Sequence, residues 1–424
     1  MYLSSARARD AALDRSRSHQ DGRPKGRARV SANVVALGSV SLVTDISSEM
    51  ITAVLPVYLV FGLGVSLLSV GFVDGLYAGV TVLVSLLAAH VADRTQRRKA
   101  VAAIGYGMSA VSKLGLLAVG ASVGGIAAVI GVDRTGKGLR TAPRDALISL
   151  SSPADSLGRS FGVHRAMDTA GALLGPLVAF LVLRSAPQAY DAVFVVSFCI
   201  AAAGVVVLLT FVRNRRNPLA SRAEVSLRAG LALLGRPMFR RVTIQATVLA
   251  AVTLSDAFVY LLLQHQLDVA LVYFPLLPLG TSAVYMVLAA PVGRLADRWG
   301  RWRVFIAGNV AMLAVYAVLL APIPAAALLV LALTLHGVYY AATSGVLMAL
   351  VAPALPAPLR TSGMAIVQSG TAAAAFVSSV VAGALWSWRG PTFTVCVFLV
   401  GLAVALAGVV ATAVRGSLAA RASA

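Results

Sequence analysis

The sequence predicts an all-α membrane protein with twelve transmembrane helices in two pseudo-symmetric six-helix bundles. Three observations carry that prediction. Of 424 residues, 59% are hydrophobic and only 12% charged, against roughly 25% charged in a soluble domain. This balance excludes a soluble globular enzyme and a disordered chain, and at ~20 residues per span it sets a ceiling of about 12 spans. Apolar stretches also recur along the whole chain, and the basic residues fall between them in a few clusters that give a formal charge of +20, from 36 Lys and Arg against 16 Asp and Glu.

The elements follow in order. Residues 1–30 hold eight basic residues and no apolar core, which argues against a cleaved signal peptide and for a disordered basic arm. Nucleic-acid binding by this arm is the alternative weighed against that reading, and no nucleic-acid partner is expected. Helices are expected near 31–63, 66–91, 100–119, 122–148, 160–184 and 190–212, which form the first bundle (31–212). An arginine-rich linker, 213–241, carries eight arginines and a single acid, Glu224. Six more helices near 242–265, 269–293, 303–321, 324–350, 361–386 and 391–414 form the second bundle (242–414), before a tail over 415–424.

The basic clusters set the expected orientation. They lie in the arm, the loop after the second helix (Arg94, Arg97, Arg98, Lys99), the linker, the loop after the eighth helix (Arg294, Arg298, Arg301, Arg303) and the tail (Arg415, Arg421). The opposite connections hold almost none, Arg184 and Arg389 excepted. By the positive-inside rule both termini and the linker are cytoplasmic, which requires an even number of spans. The same cluster is expected to touch anionic lipid headgroups. With arginine outnumbering lysine 32 to 4, as in GC-rich bacterial coding, the expected location is a bacterial inner membrane. Cys199 and Cys396 both lie in apolar runs, so no disulfide framework is expected.

The chain repeats itself. Gly293-Arg294-Leu295-Ala296-Asp297-Arg298-Trp299-Gly300-Arg301 echoes Ala89-His90-Val91-Ala92-Asp93-Arg94-Thr95-Gln96-Arg97-Arg98, with the aspartates 204 residues apart. Gly158-Arg159-Ser160-Phe161-Gly162 echoes Leu359-Arg360-Thr361-Ser362-Gly363, 201 residues apart. Two offsets so close imply two homologous halves, as in rocker-type secondary transporters. The GxLADRxGR element resembles the signature loop of the major facilitator superfamily, over essentially 31–414. The first copy departs from it, with Ala89 and Gln96 where the family usually has glycine. The resemblance implies a cytoplasmic gate made of Asp93, Arg94, Arg97, Arg98, Gly293, Asp297, Arg298, Gly300 and Arg301, pairing across the seam between the halves.

Arg134-x-x-x-Gly138 resembles the family's fourth-helix motif, and Gly171-Ala172-Leu173-Leu174-Gly175-Pro176 is similar to the antiporter motif of its exporters. Thr44-Asp45-Ile46-Ser47-Ser48-Glu49-Met50 and Gly136-Lys137-Gly138-Leu139-Arg140-Thr141-Ala142-Pro143-Arg144-Asp145-Ala146-Leu147 together resemble a prokaryotic branch of the family whose substrates are mostly unassigned. Gly131-Val132-Asp133-Arg134-Thr135-Gly136-Lys137-Gly138 is close to a phosphate-binding loop but ends in glycine where the hydroxyl is needed, and no strand precedes it. An ATPase, or any other enzyme, is not expected.

An ionisable side chain at the bilayer centre costs at least ~2.5–3.5 kcal/mol, so each marks a functional candidate. Asp45 and Glu49 flank the middle of the first helix at i, i+4 on one face. Two like charges there are costly, so proton exchange is expected at this pair, with Glu49 first and Asp45 as partner. Permanent pairing with helix-four arginines is the alternative. His164 and Asp168 repeat the i, i+4 spacing beside Arg165 in the fifth helix, close enough to couple, and are further candidates for proton coupling. Their place towards the cytoplasmic end leaves a gate or structural role as the alternative. Asp133 and Arg134 sit about 17 Å into the fourth helix, where Arg134 would hold a helix-one acid or an anionic solute, or pair within the protein.

Asp74, Lys113 and Asp256 are single intramembrane charges. Asp256 parallels Asp45 at a looser offset of 211 residues, and the two are expected to approach one cavity from opposite sides. The cavity is expected to draw on Asp45, Glu49, Arg134, Lys137, Lys113, Asp256, Tyr260, Tyr285, Tyr340 and Gln368, with Tyr273 and Tyr339 as further aromatics. His336 and Gln264 are expected to be satisfied locally. The five histidines, His19, His90, His164, His265 and His336, lie in distant segments, so no metal site is expected.

The expected function is proton-coupled transport of a small solute by alternating access, outward in exchange for protons, by a monomer that uses the proton gradient and no cofactor. The alternatives are a proton-coupled importer, a lipid-handling transporter and a sensor on a transporter scaffold. The sequence leaves the solute's charge open, because Arg134, Lys137 and Lys113 offset the acids.

Overall fold

A computed structural model describes residues 30–95, 97–153, 157–214, 232–356 and 359–422, with the side chains of 85–95, 360–362 and 413–422 among those left undescribed. Most of the arm and linker, and with them His19 and Glu224, lie outside the described residues, as do the side chains of Asp93 and Arg94. The described chain is helical without strands. The helices are α1 (Ala32–Val57), α2 (Leu67–Thr95), α3 (Arg98–Ala118), α4 (Val123–Leu150), α5 (Leu157–Ser185) and α6 (Tyr190–Phe211). After the linker come α7 (Pro237–Ala251), α8 (Asp256–Leu267), α9 (Leu276–Trp299), α10 (Arg301–Leu320), α11 (Ala325–Val351) and α12 (Arg360–Ala422).

Helix starts are capped where the sequence allows it. Ser31 Oγ accepts from the Val34 amide at 3.3 Å and Ser122 Oγ from the Gly125 amide at 3.2 Å, each satisfying an amide with no partner inside its helix. Nine described segments are long and apolar enough to cross a membrane. One of these, Gly363–Thr412, has 50 residues, about 75 Å of helix against a hydrocarbon core of roughly 30 Å. It turns at Gly390, whose φ of 84° only glycine adopts without strain, so it holds the length of two spans. The charged α4 and the partly described α2 lie where the sequence places two further spans.

Two departures from the expected elements matter. The seventh span is broken: helix stops at Ala251 and restarts at Asp256. Its unwound backbone is served by neighbours, with Tyr316 Oη accepting from the Leu254 amide at 2.7 Å and Ser378 Oγ donating to the Thr253 carbonyl at 2.5 Å. Irregular backbone at membrane depth persists where protein groups satisfy it in this way. The second signature copy is also not a loop after its helix. Residues 293–299 are the last turns of α9, and the turn falls at Gly300, φ 100°.

Within the first half α1 packs on α5 and α6, while α3 and α4 pack together and against α6 and α2 respectively. In the second half α11 packs on α9 and α10, and α12 on α7. The halves meet through α2 against α12 and α5 against α9. At the α2–α12 crossing Gly71 lies against the Ser379 carbonyl and Gly383 against that of Leu67, and Phe72 and Phe376 meet edge to face. Phe180 and Tyr273 stack across the other seam. These contacts lie at the end of the molecule away from the signature turns.

Candidate functional site

The site begins as a register between two antiparallel helices. On α1, Ser41, Asp45 and Glu49 recur every four residues and share a face. On α4, Lys137, Arg140 and Arg144 recur at three and four, also on one face. They meet rung by rung: Lys137 Nζ lies 3.9 Å from Glu49 Oε1, Arg140 Nη2 donates to Asp45 Oδ1 at 3.2 Å, and Arg144 Nη1 donates to Ser41 Oγ at 3.3 Å. Arg140 is almost fully buried, with its guanidinium 4.6 Å from the centre of the Tyr106 ring.

Helix α5 closes the third side. Asp168 lies 3.8 Å from Arg144 and 3.3 Å from Arg165, and its carboxyl is within interaction range of that of Asp45. His164 does not couple to Asp168 as expected from spacing. Its Nε2 is 2.9 Å from Ser41 Oγ instead, because the side chain points at α1 across the interface. The antiporter-like glycines set the closeness of this packing: a Cβ on Gly171 would stand 2.5 Å from the Leu42 carbonyl oxygen and 3.1 Å from the Asp45 Cβ. One on Gly175 would stand 2.6 Å from the Glu49 Cβ. Gly175→Val is therefore expected to cost about 1–3 kcal/mol of stability and to displace Glu49, read as a lowered melting temperature with reduced flux in proteoliposomes.

Arg134 reaches neither an acid of α1 within ion-pair distance nor open space. It pairs with its own neighbour Asp133, which also takes 2.6 Å and 3.3 Å hydrogen bonds from Ser109 and Ser112 and a 3.3 Å contact from Lys113 Nζ. The Arg134 guanidinium lies 3.5 Å from the Tyr77 ring centre. Lys113 and Arg134, both expected to line a cavity, are instead packed inside the first half around one carboxylate.

In the second half the break before α8 puts Asp256 in that helix's first turn, where the helix dipole favours a carboxylate. Tyr340 Oη donates to Asp256 Oδ1 at 2.5 Å, and His336 Nε2 stands 3.3 Å from the same oxygen without hydrogen-bond geometry. Between the halves lies a cavity of about 480 Å³, lined from one side by Glu49, Thr52, Asp74 and Tyr77 and from the other by Asp256, Tyr260, Tyr285, Tyr339 and Tyr340 among others. Glu49, one turn beyond Asp45, is thus the α1 acid that shares this cavity with Asp256. Asp45, Lys113, Arg134, Lys137 and Gln368 do not line it, and Gln368 is exposed, with its amide nitrogen 3.8 Å from Met348 Sδ. Asp74 accepts from Ser379 at 2.7 Å, a hydrogen bond across the halves.

Of the expected gate, the described contacts are those of the second copy. Asp297 pairs with Arg301 at 3.1 Å, and Arg301 donates to the Ala349 carbonyl at 2.8 Å, all within one half. Arg97 is exposed and Arg98 buried. Ser41 carries no role in the sequence reading, and Arg140 and Arg144 enter it only among the helix-four arginines of the alternative reading, which the Arg140–Asp45 pair matches.

Two helical half-bundles, several spans long enough to cross a bilayer and a central cavity bearing acids from both halves define a multi-pass membrane transporter. The profile of the Major Facilitator Superfamily matches residues 37–283 and 248–422, and the chain belongs to that family. It is 30% identical over 368 residues to an uncharacterized MFS-type transporter of Methanocaldococcus jannaschii, spanning 84% of this chain and 89% of the relative. An uncharacterized protein of Mycobacterium tuberculosis is 31% identical over 37% of this chain and 38% of its own length. Among solved structures, the nucleoside transporter NupG superposes with a TM-score of 0.75 at 17% identity, over 89% of this chain and 97% of that one. A POT family transporter in complex with 5-aminolevulinic acid gives 0.73 at 13% identity, over 90% and 95%. At these identities the structures show the shared fold.

Proposed function

We propose that this chain is a proton-coupled exporter of a small solute, acting by alternating access in a bacterial inner membrane with both termini and the signature turns cytoplasmic. The observation that carries the coupling is Glu49. It lines the cavity, yet its nearest base, Lys137, stands at 3.9 Å, too far for a hydrogen bond. Below it, Asp45 and Asp168 bring two carboxyls together beside Arg140 and Arg144. Protons arriving from outside at the Asp45/Glu49 ladder would neutralise α1 and favour the inward-facing state. Their release to the cytoplasm would restore the charge and the pairs to α4. The outward direction is supported by the seating of Asp45 and Glu49 on the glycines of the antiporter-like motif. In the proposed orientation the described contacts between halves lie at the outer end, so this conformation faces the cytoplasm. A monomer would suffice, with the proton gradient as the energy source and no cofactor.

The test is Glu49→Gln in proteoliposomes, with solutes from a thermal-shift panel as cargo, since binders of the native state raise its apparent stability. Counterflow is expected to persist while pH-driven accumulation falls at least tenfold. Full pH-driven accumulation by the variant would remove the coupling assignment, and accumulation driven in the opposite sense would make the protein an importer.

A further inference from the structure

The sequence leaves the sign of the solute open because three bases offset the acids. The structure separates them. Lys113 and Arg134 are consumed by Asp133, and Lys137 stands behind Glu49, so among the described residues no lysine, arginine or histidine lines the cavity. Three carboxyl groups do: Glu49, Asp74 and Asp256. Asp74 is engaged by Ser379 across the seam and Glu49 faces Lys137. Asp256 differs from both. Its side chain is 47% exposed, and its described polar contacts, to Tyr340 and His336, fall on Oδ1, which leaves Oδ2 available.

Around it the wall is aromatic. Tyr260, Tyr285, Tyr339 and Tyr340 line the cavity from the second half, and the Tyr285 and Tyr340 rings meet edge to face at 6.4 Å between centres. Tyrosine faces attract cations, by about 0.5–1 kcal/mol when exposed and ~2 or more when desolvated. A carboxylate with a free oxygen, inside a tyrosine-walled space without a fixed cation, is complementary to an organic cation and opposed to an anion. At about 480 Å³, the space falls in the range of sites for drug-sized ligands.

We propose that the solute is a monovalent organic cation with an apolar or aromatic body, anchored by Asp256 and seated among the tyrosines, with Glu49 facing it from the first half. This rests on the transporter reading above and names its substrate class. Under export by antiport, cation and proton would then compete for one acidic cavity.

The test is equilibrium binding to the purified full chain in detergent, which needs no gradient. The probes are tetraphenylphosphonium and tetraphenylborate, which share a shape and differ in charge. Tetraphenylphosphonium is expected to bind at least tenfold more tightly than the borate. Asp256→Asn, which keeps an oxygen for Tyr340, is expected to weaken the phosphonium at least tenfold and leave the borate unchanged, and Asp256→Glu to recover part of the affinity. Tyr285→Leu is expected to weaken the phosphonium severalfold, with elution and melting behaviour like the parent. Equal binding of both probes, or phosphonium binding unaffected by Asp256→Asn, overturns the proposal. Because binding is read without a pH difference, charge-selective binding with uncoupled transport would sink the coupling reading alone. Coupled transport with no preference for the cation would sink this one alone.

Discussion

Replacing Asp133 with alanine is expected to cost about 3–5 kcal/mol of stability, the range seen when one partner of a buried ion pair is removed. Asp133 is the sole described carboxylate in ion-pair contact with Lys113 and Arg134, whose side chains are 4% and 3% exposed. Its loss would leave two cations without a counter-charge in the first half, one of them stacked on Tyr77, which lines the cavity. Lys113 would keep a 2.6 Å hydrogen bond to the Ser109 carbonyl, but a carbonyl does not neutralise it. Asp133→Asn retains the shape and the acceptor and is expected to fall between parent and alanine. The double variant Asp133→Leu/Lys113→Met removes one charge of each sign and is expected to be less damaged than Asp133→Ala. Melting of the purified protein, followed by size exclusion, orders the series. An Asp133→Ala protein as stable as the parent would refute the cluster's structural role.

Gly71→Val is expected to shift the conformational equilibrium by about 1–3 kcal/mol, roughly 5–150-fold in population. At this crossing the backbones of α2 and α12 approach so closely that a Cβ on Gly71 would fall on the Ser379 carbonyl oxygen, and one on Gly75 would stand 2.6 Å from the Phe376 ring. Contacts that close one end of the cavity are lost when the halves rock apart, so a bulky residue there penalises this state and spares the other. The effect is measurable by thiol labelling. Cys199 and Cys396 are exposed and would first be replaced by serine. With Tyr285→Cys then supplying a single thiol on the cavity wall, labelling from the side away from the signature turns should be faster in Gly71→Val than in the parent. Unchanged labelling would show that the crossing does not hold that end shut. Gly383→Val, the reciprocal change on α12, is expected to act in the same direction.

Much of the fold is legible in the chain. Apolar runs of spanning length must become helices in a bilayer, because no water is present to satisfy the backbone. The expected helix positions accordingly match α2–α6, α10 and α11 within about four residues, whereas α1 ends earlier than expected and α9 lies further along the chain. The break at 252–255 was not legible, since it depends on Tyr316 and Ser378 arriving from α10 and α12. The placement of Asp45, Glu49 and Asp168 as acids of the first half was readable from their spacing. Their partners were not: Arg140 and Arg144, rather than Arg134, face α1, and His164 turns to Ser41 rather than to Asp168. Helical period tells which residues share a face, but not which turn of a neighbouring helix lies opposite.

What the sequence determined by itself is the membrane class, the doubled half-bundle and the family, because hydropathy, charge clusters and internal echoes are one-dimensional signals. The tertiary structure decided which acids are spent and which are free. Arg134 is the sequence neighbour of the acid that captures it, but Lys113 reaches the same acid from α3, 20 residues earlier, and Asp256 gains its tyrosine partner from α11, 84 residues away. Charge in a cavity is set by what remains unpaired after packing, and pairing at 3 Å is a property of helix rotation and register that composition does not encode.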